Sequence, residues 1–588
     1  MKRIPLGISD FKAIIEEDYL FVDKTLLIKE FWESNGQTIL LPRPRRFGKT
    51  LNMSMIKYFF DINMKEESRK LFYKLNIEKD KKMMELQGAY PVIFITFKEL
   101  KSDNFEGFLN KLRLVISKEF ARHQNIINNE KLNENDISYI KRIITGIASK
   151  EDLEFSIISL TELFFKYYNK KVILLIDEYD VPIQEAYMNG YYNEVIGFMR
   201  NLLGAALKGN LQIEKAMLTG ILNLINETPS PVVDPVSDSH KRQAFGALLK
   251  ESIFSGLNNL EVDTIIRNKF SDKFGFLEND IDAILSYYEK DEINKEKDMI
   301  KEWYNGYIFG NNIIYNPWSV LNYIENYEEG FRPYWINSSE NVLVKKILSN
   351  GNEEIKKELE ELIENKTIEK VIDDNIVMGE IEGSSESVWS FLLMTGYLKA
   401  VKRENIEGVL NCTLAIPNKE VYIYFKNMIL KWFDDSLSML KYKNMLNALI
   451  SGDIENFGYP FKRFVLNNLS YFDVSGKEPE KVYHAFVLGI LVSLADDYEV
   501  KSNKESGIGR YDVMIIPKDV SKYGIIIEFK KIDELSKQSI EDATEKALKQ
   551  IEDKKYESEL LERGIKNIIK LAIVFKNKEV EITQASNS

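Results

Sequence analysis

Short apolar runs alternate with longer amphipathic stretches along the first 220 residues. Residues 38–41 (TILL), 92–97 (VIFITF) and 172–176 (VILLI) are apolar without alternation, and 216–219 (AMLT) form a shorter fourth run. Between them, residues 51–60, 105–120 and 153–168 repeat apolar positions at helical spacing. A strand that is apolar on both faces must be covered on both, so strands separated by helices predict a parallel α/β sheet. Residues 226–239 break the pattern. Pro229, Pro231 and Pro235 stand there among Ser, Thr and Asp, the composition of an exposed irregular loop. From about 261 to 440 the pattern is mostly helical and rich in aromatics, punctuated by Trp303-Tyr304-Asn305-Gly306-Tyr307 and Tyr315-Asn316-Pro317-Trp318, which read as packing between helices. From about 478 a helix, a strand hairpin and a second helix follow.

Composition narrows the chemistry. A chain of 588 residues is too long for one core, so two to four domains are expected, and 44% hydrophobic with 29% charged residues fits globular ones. A single cysteine, Cys412, excludes an internal disulfide. His123, His240 and His484 are scattered, so a metal site falls to carboxylates, which favours Mg²⁺ or Mn²⁺ over Zn²⁺. The net charge of −12 argues against coating nucleic acid through bulk charge but leaves room for a local basic groove. The longest apolar stretch, residues 486–495, is too short for a membrane span. No signal-like apolar segment follows the amino terminus, so the expected location is cytoplasmic, with no membrane partner.

Two constellations carry chemistry. The run 38–41 leads into Pro42-Arg43-Pro44-Arg45-Arg46-Phe47-Gly48-Lys49-Thr50 and then into an amphipathic helix. Strand, loop and helix in this order suit a phosphate, because the N–H groups and dipole of a helix N-terminus favour negative charge. Lys49 is positioned for β- and γ-phosphates and the Thr50 hydroxyl for Mg²⁺, although Arg43 stands where GxxxxGK[ST] has its first glycine. Downstream, the run 172–176 ends in Asp177-Glu178. These are either a helix cap or, with the loop upstream, a Mg²⁺ holder (Asp177) and a polariser of the attacking water (Glu178). Thr219 is either a γ-phosphate sensor or a strand-end turn residue.

The second constellation is Asp512 with Glu528-Phe529-Lys530. Residues 509–516 and 524–530 read as antiparallel strands, with Val520 midway between Asp512 and Glu528, so a symmetric connection sets the two carboxylates opposite each other. Glu528 and Lys530 share a face. Neighbouring carboxylates repel unless a cation lies between them, and such a cation activates water and polarises a phosphodiester. An ExK pattern is also common on solvated strands, but Ile525-Ile526-Ile527 makes this one central and buried. Glu480 offers a third acid on the preceding helix. On the following one, Gln550, Lys554 and Tyr556 are candidate contacts to a substrate backbone.

At this point the chain resembles a known family. RPRRFGKT (43–50), LLIDEYD (174–180), SIFSGLNNL (252–260), WYNGYIFG (303–310) and YNPWSV (315–320) resemble the bacterial AAA-ATPase-like family, as do IPLGISDF and YLFVDKT near the amino terminus. YHAFVLGIL (483–491), SNKESGIGRYDVMIIP (502–517) and IIIEFK (525–530) resemble its common carboxyl-terminal PD-(D/E)XK nuclease domain. In the family pattern LTGIL runs almost directly into KESIFSGLNNL, whereas here the Pro-rich segment separates them.

The resemblance implies a P-loop NTPase parallel sheet over 1–260 with an irregular insert near 223–249. A helical middle region over 261–440 and a restriction-endonuclease-like α/β domain over 441–588 complete the expected fold. It implies ATP and Mg²⁺ (or Mn²⁺) as cofactors and nucleic acid, DNA before RNA, as partner, with a possible homo-oligomer. Arg45, Arg46, Gly48, Lys49, Thr50 and Asp177 become nucleotide-site residues, with Glu178 as its catalytic group. Glu480, Asp512, Glu528 and Lys530 become nuclease-site residues, Asp512 and Glu528 as metal ligands. The expected activity is an ATP-regulated nuclease in defence or DNA processing; the alternative is a nucleotide-switched binding module with an inactive nuclease fold.

Overall fold

A computed structural model describes every residue except 1, 129–131, 225–252, 255–256, 289–295, 338–340, 350, 377, 379–380, 382–383, 435–438, 472–486, 488, 491–492, 496, 507–508, 533–537, 577–578 and 586–588. The Pro-rich segment, Glu480 and His484 therefore lie outside the described residues. The chain divides into two compact units, Met1–Leu343 with Glu369–Val421, and Val344–Ile368 with Tyr422–Ser588. Residues 261–440, read as a helical middle region, are shared between them. No described helix is long and apolar enough to cross a membrane.

In the first unit, β1 (Thr38–Pro42), β2 (Val92–Thr96), β3 (Val172–Asp177), β4 (Ile213–Gly220) and β5 (Leu260–Val262) form a sheet in the order β2-β3-β4-β1-β5. Every pairing in it is parallel. β1 and β3 are buried at every position, as their unbroken apolar runs require. β4 starts earlier than its apolar core because Lys215, polar in sequence, turns its ammonium to the carbonyls of Ser34 and Gly36. The helix expected over 153–168 is two helices, Lys150–Glu154 and Ser156–Tyr168. They are jointed at Phe155, whose N–H closes the first while the Ser156 hydroxyl donates to Leu153 O at 2.7 Å.

The stretch expected to be helical also contains strands. β6 (Tyr307–Phe309) and β7 (Asn312–Ile314) form a hairpin, and β8 (Ile368–Val371), β9 (Lys399–Ile406) and β10 (Val409–Ala415) form a sheet in the order β8-β10-β9. Glu407 and Gly408, both at positive φ (52° and 87°), make the two-residue turn between β9 and β10 that matches strand twist. β9 is exposed at five of its eight positions and charged at four, so its apolar signal is weak. The aromatics do pack between helices: Tyr304, Tyr315 and Tyr323 are buried in one cluster with Ile281, Ile284 and Val320, and Tyr323 stacks on Phe331 at 4.2 Å.

The second unit holds a five-stranded sheet in the order β11 (Tyr498–Ser506), β12 (Gly509–Pro517), β13 (Gly524–Ile532), β14 (Ile568–Lys576), β15 (Glu579–Gln584). The expected hairpin is β12–β13, but three further strands flank it. β11 and β15 pair antiparallel at the two edges, and β14 runs parallel to β13. The helix Ile540–Asp553 makes the crossover from β13 to β14. It opens on a capping box between Ser539 and Asp542 and buries Ala543, Ala547 and Ile551, one residue per turn on one face. Ile551 packs with Met514, Ile516 and Ile526, and Ala543 with Ile532 and Val574.

Candidate functional site

Parallel strands share a carboxyl edge, so the loop after β1, the end of β3 and the end of β4 converge there. The register fixes the meeting: Leu41 pairs with Thr219 and Pro42 with Gly220. Asp177 receives a hydroxyl from each side. Thr50 Oγ1 donates to its Oδ2 at 2.8 Å, and Thr219 Oγ1 to its Oδ1 at 2.6 Å. Thr219 is thus a fully buried strand-end residue bonded to the acid beside it. The loop passes twice through the left-handed region, at Arg46 (φ +67°) and Gly48 (φ +84°), before the helix Lys49–Phe60 begins. Such alternation turns successive N–H groups into one concavity. Lys49 is buried, and its ammonium donates to the carbonyls of Arg43 and Pro44, each at 3.0 Å. Burial lowers its pKa against the opposing pull of Glu178, Asp177 and Asp180.

The three loop arginines have different fates. Arg43 is fully buried. Its Nη2 pairs with Asp263 Oδ1 at 2.7 Å, and its Nη1 donates to the carbonyls of Pro42 and Asp263. Arg45 accepts the Trp335 indole N–H on its carbonyl at 3.0 Å and reaches Gln184 Oε1 at 3.4 Å. The Arg46 guanidinium lies 4.1 Å above the Trp318 ring. Phe47 packs on Tyr307 and Phe309, and Gly396 meets Pro44 so closely that a Cβ there would lie 3.0 Å from Pro44 Cβ. The aromatic segments 303–310 and 315–320 therefore grip the phosphate-type loop.

Two buried acids here escaped the sequence reading. Asp180 accepts the N–H groups of Ile221 and Leu222 at 2.9 and 3.0 Å and the Gln184 amide at 2.8 Å, and burial raises its pKa. It fixes the chain just past Thr219, and it requires Gly220, where a Cβ would lie 2.6 Å from its carboxylate. Its signal was the third acid in Asp177-Glu178-Tyr179-Asp180. Glu420 accepts from the Ser319 hydroxyl (2.9 Å) and the Trp335 N–H (2.6 Å), and burial pushes it up to about 8. Nothing local in the sequence marks it.

In the second unit, β12 and β13 pair Val513 with Ile527, Met514 with Ile526 and Ile515 with Ile525. One step further along this register sets Asp512 opposite Glu528, as the symmetric connection predicts. There the Asp512 Oδ2 accepts the Phe529 N–H at 2.7 Å, tying the carboxylate to the strand that carries Glu528. Glu528 is 2% exposed. Its Oε1 accepts from Lys530 Nζ at 2.9 Å and from the Gln550 amide, whereas its Oε2 is buried with no hydrogen-bond partner. Burial first, and the Asp512 charge second, push Glu528 up to about 7 against the pull of Lys530. Burial also raises Asp512.

Gln550 accepts from Lys530 at 2.8 Å and donates to the Tyr556 hydroxyl at 3.0 Å. Tyr556 is 1% exposed, so it and Gln550, expected at a substrate backbone, brace the carboxylate and lysine from behind. Lys554, at the end of that helix, is exposed.

Among the described residues no group of three or more His, Cys, Asp and Glu gathers as a metal cage. Two carboxylates nevertheless suit Mg²⁺, which keeps several of its own waters and takes one or two protein carboxylates. The orphaned Oε2 of Glu528 fits such a ligand, because a buried carboxylate oxygen without a donor is unfavourable until a cation meets it.

Comparison with known proteins agrees with both geometries. Residues 5–228 match the family model described as Predicted AAA-ATPase, and residues 478–585 match that of the PD-(D/E)XK nuclease superfamily. A protein described as an uncharacterized protein in the vnfD 5' region of Azotobacter chroococcum mcd 1 is 24% identical over 570 residues, covering 96% of this chain and 94% of that one. The chain thus joins an AAA-ATPase-like domain to a carboxyl-terminal domain of the PD-(D/E)XK nuclease superfamily.

Proposed function

We propose that this protein is a cytoplasmic, nucleotide-regulated, Mg²⁺-dependent nuclease acting on DNA before RNA. The observation that carries the reading is Glu528. It is a buried carboxylate with one oxygen unpartnered, opposite Asp512 in the strand register, and with Lys530 on its other oxygen. Asp512 and Glu528 would hold the cation, which when bound supplies an activated water and charge relief on a phosphodiester. Lys530, braced by Gln550, orients that water or offsets phosphate charge, and Glu480 is a further acidic group for the site. In the first unit, Lys49 and the N–H groups around Arg45, Arg46 and Gly48 receive phosphates. Thr50 and Asp177, already bonded to each other, hold the accompanying Mg²⁺, and Glu178 polarises water.

The purified full chain incubated with DNA and with RNA, with and without Mg²⁺ and ATP, tests this beside Glu528→Ala and Lys49→Ala. Metal-dependent cleavage lost in Glu528→Ala and altered in its ATP response by Lys49→Ala is expected. Absence of metal-dependent cleavage, or equal cleavage by Glu528→Ala, would sink it. A second reading, a nucleotide-switched module that binds nucleic acid without cutting, draws support from Glu528 holding its proton up to about 7. It expects ATP and nucleic-acid binding with no Glu528-dependent product.

A further inference from the structure

Glu420 lies in the first turn of the helix Lys419–Asp434 and is fully buried. Two other helices meet it there. From Pro317–Glu325, the Ser319 hydroxyl stands 3.1 Å from its Oε1 and 2.9 Å from its Oε2. From Tyr334–Asn337, the Trp335 backbone N–H donates to Oε1 at 2.6 Å. The titratable side chains around it are Tyr304, Tyr307 and Tyr334. Among the described residues Glu420 thus receives a hydroxyl and an N–H but no cation. A buried acid without a counter-charge is unfavourable for folding, so stability does not account for its presence. Burial pushes it up to about 8, so at neutral pH it accepts as a neutral amide carbonyl would.

Trp335 carries the influence of that acid to the phosphate-type loop. Its backbone N–H is held by Glu420, and its indole N–H donates to the Arg45 carbonyl at 3.0 Å. Its ring also meets Tyr307 edge-on with centroids 6.0 Å apart, and Tyr307 meets Phe47 edge-on at 5.0 Å. Trp335 therefore reaches the loop on either side of Arg46 in sequence, directly at Arg45 and through Tyr307 at Phe47. Arg46 and Gly48 are the two left-handed residues that shape the loop. A peptide unit is planar, so fixing the Arg45 carbonyl fixes the plane from which the first of them departs.

We infer that Glu420 is a positioning residue of the nucleotide loop: it anchors Trp335, Trp335 anchors the Arg45 carbonyl, and the loop is held in its phosphate-receiving shape before a nucleotide arrives. A loop already in its bound shape loses less freedom on binding, so this anchorage appears as affinity. The role needs an acceptor and not a charge, because the groups that Glu420 receives are an N–H and a hydroxyl. It rests on the reading of residues 42–50 as a nucleotide site, and it adds to that site a residue that touches no phosphate.

Calorimetry of the full chain with ATP and Mg²⁺ tests the role in wild type and four variants. Trp335→Phe keeps a ring and removes the indole N–H. Glu420→Leu removes the acceptor, Glu420→Gln keeps one, and the fourth variant combines Trp335→Phe with Glu420→Leu. Loss of one neutral hydrogen bond in Trp335→Phe is expected to weaken ATP about fivefold. Glu420→Leu should weaken it by a similar factor, and the double variant by no more than the larger single loss, because both act along one path. Glu420→Gln should bind as wild type does. Thermal unfolding recorded alongside separates this role from a structural one: affinity should not follow the order of melting temperatures. Wild-type affinity in Trp335→Phe, losses that multiply in the double variant, or a Glu420→Gln protein as weak as Trp335→Phe overturns the role while the nucleotide site stands. Trp335→Phe and Glu420→Gln decide the matter even where Glu420→Leu does not fold. A wild-type protein that binds no ATP overturns both the role and the site.

Discussion

Replacing Glu528 by Gln is expected to stabilise the second unit without Mg²⁺ and to destabilise it, relative to wild type, with Mg²⁺. The carboxyl sits at about 7 against an ordinary 4.5, with burial as the larger cause and Asp512 as the second. A folded pKa above the unfolded one means that this group's stability contribution is complete below pH 4.5. It is lost as pH rises through 7, because the unfolded chain ionises freely and the folded one resists. At about 1.4 kcal/mol per pH unit of displacement, the penalty at pH 8 is about 3 kcal/mol. The glutamine side chain has no charge to bury, its carbonyl can still accept from Lys530 and Gln550, and its amide nitrogen takes the place of the oxygen that lacks a donor.

A cation reverses the order. It binds the ionised carboxylate, so the wild type gains RT ln(1 + [Mg²⁺]/Kd), about 2.7 kcal/mol at a hundredfold excess over Kd, and the variant does not. Urea denaturation from pH 5 to 8.5, with EDTA and with Mg²⁺, measures both arms. The curves should coincide near pH 5 and cross on adding Mg²⁺ at pH 8. A Glu528→Gln variant less stable than wild type at pH 8 in EDTA, or one that gains as much from Mg²⁺, would refute the reasoning.

Three further outcomes follow from the geometry. Arg43→Ala, which strands the buried Asp263 carboxylate, should cost about 3–5 kcal/mol in urea denaturation of the first unit, whereas Arg43→Met with Asp263→Leu should recover most of it; a loss below about 1 kcal/mol for Arg43→Ala would mean the pair is dispensable. Glu420, held up to about 8 by burial, takes stability from the first unit between pH 4.5 and 8, about 3 kcal/mol by pH 7, so Glu420→Gln should melt higher than wild type at pH 7.5 and alongside it at pH 4.5. Gln550→Ala, which removes the amide joining Glu528, Lys530 and Tyr556, should lower metal affinity or cleavage about 10–100-fold with the fold intact by circular dichroism; unchanged kinetics would reduce Gln550 to packing.

What was legible in the sequence was what depends on local pattern. Runs apolar on both faces found β1, β2 and β3, and the midpoint at Val520 set Asp512 against Glu528 from spacing alone. β9 was not legible because its cluster of charges at 402–404 looks like a solvated surface, and β4 was legible only in part because Glu214 and Lys215 mask its start. β14, a plainly apolar run at 568–576, shows its character in sequence, but pairing parallel to β13 is decided by the crossover helix, a long-range fact. Site residues divided the same way. Lys49, Thr50 and Asp177 are marked by neighbours in sequence. Asp263 acts on the loop from 220 residues away and Glu420 on its clamp from 85 residues away, through burial that no local window contains.

The substitution at position 43 shows how a motif can be physically intact and textually broken. A glycine is required where φ is positive or where another group would collide with a Cβ. The positive-φ residues of this loop are Arg46 and Gly48, and Arg43 is not among them. Position 43 therefore does not demand glycine, and its side chain is available for another task. That task is visible: the guanidinium locks β1 to the chain just past β5. The loop is also held by Trp335, Phe309, Tyr307 and Gly396, which press on Arg45, Phe47 and Pro44. A phosphate loop rich in glycine relies on its ligand to hold its shape. One built as PRPRRFGKT has two prolines, Pro42 and Pro44, a buried ion pair and an aromatic clamp to hold it. Its concavity is preorganised, and the lysine is already turned inward onto its carbonyls. The missing glycine is then no argument against phosphate binding; it marks a loop whose rigidity comes from tertiary contacts in place of ligand-induced order.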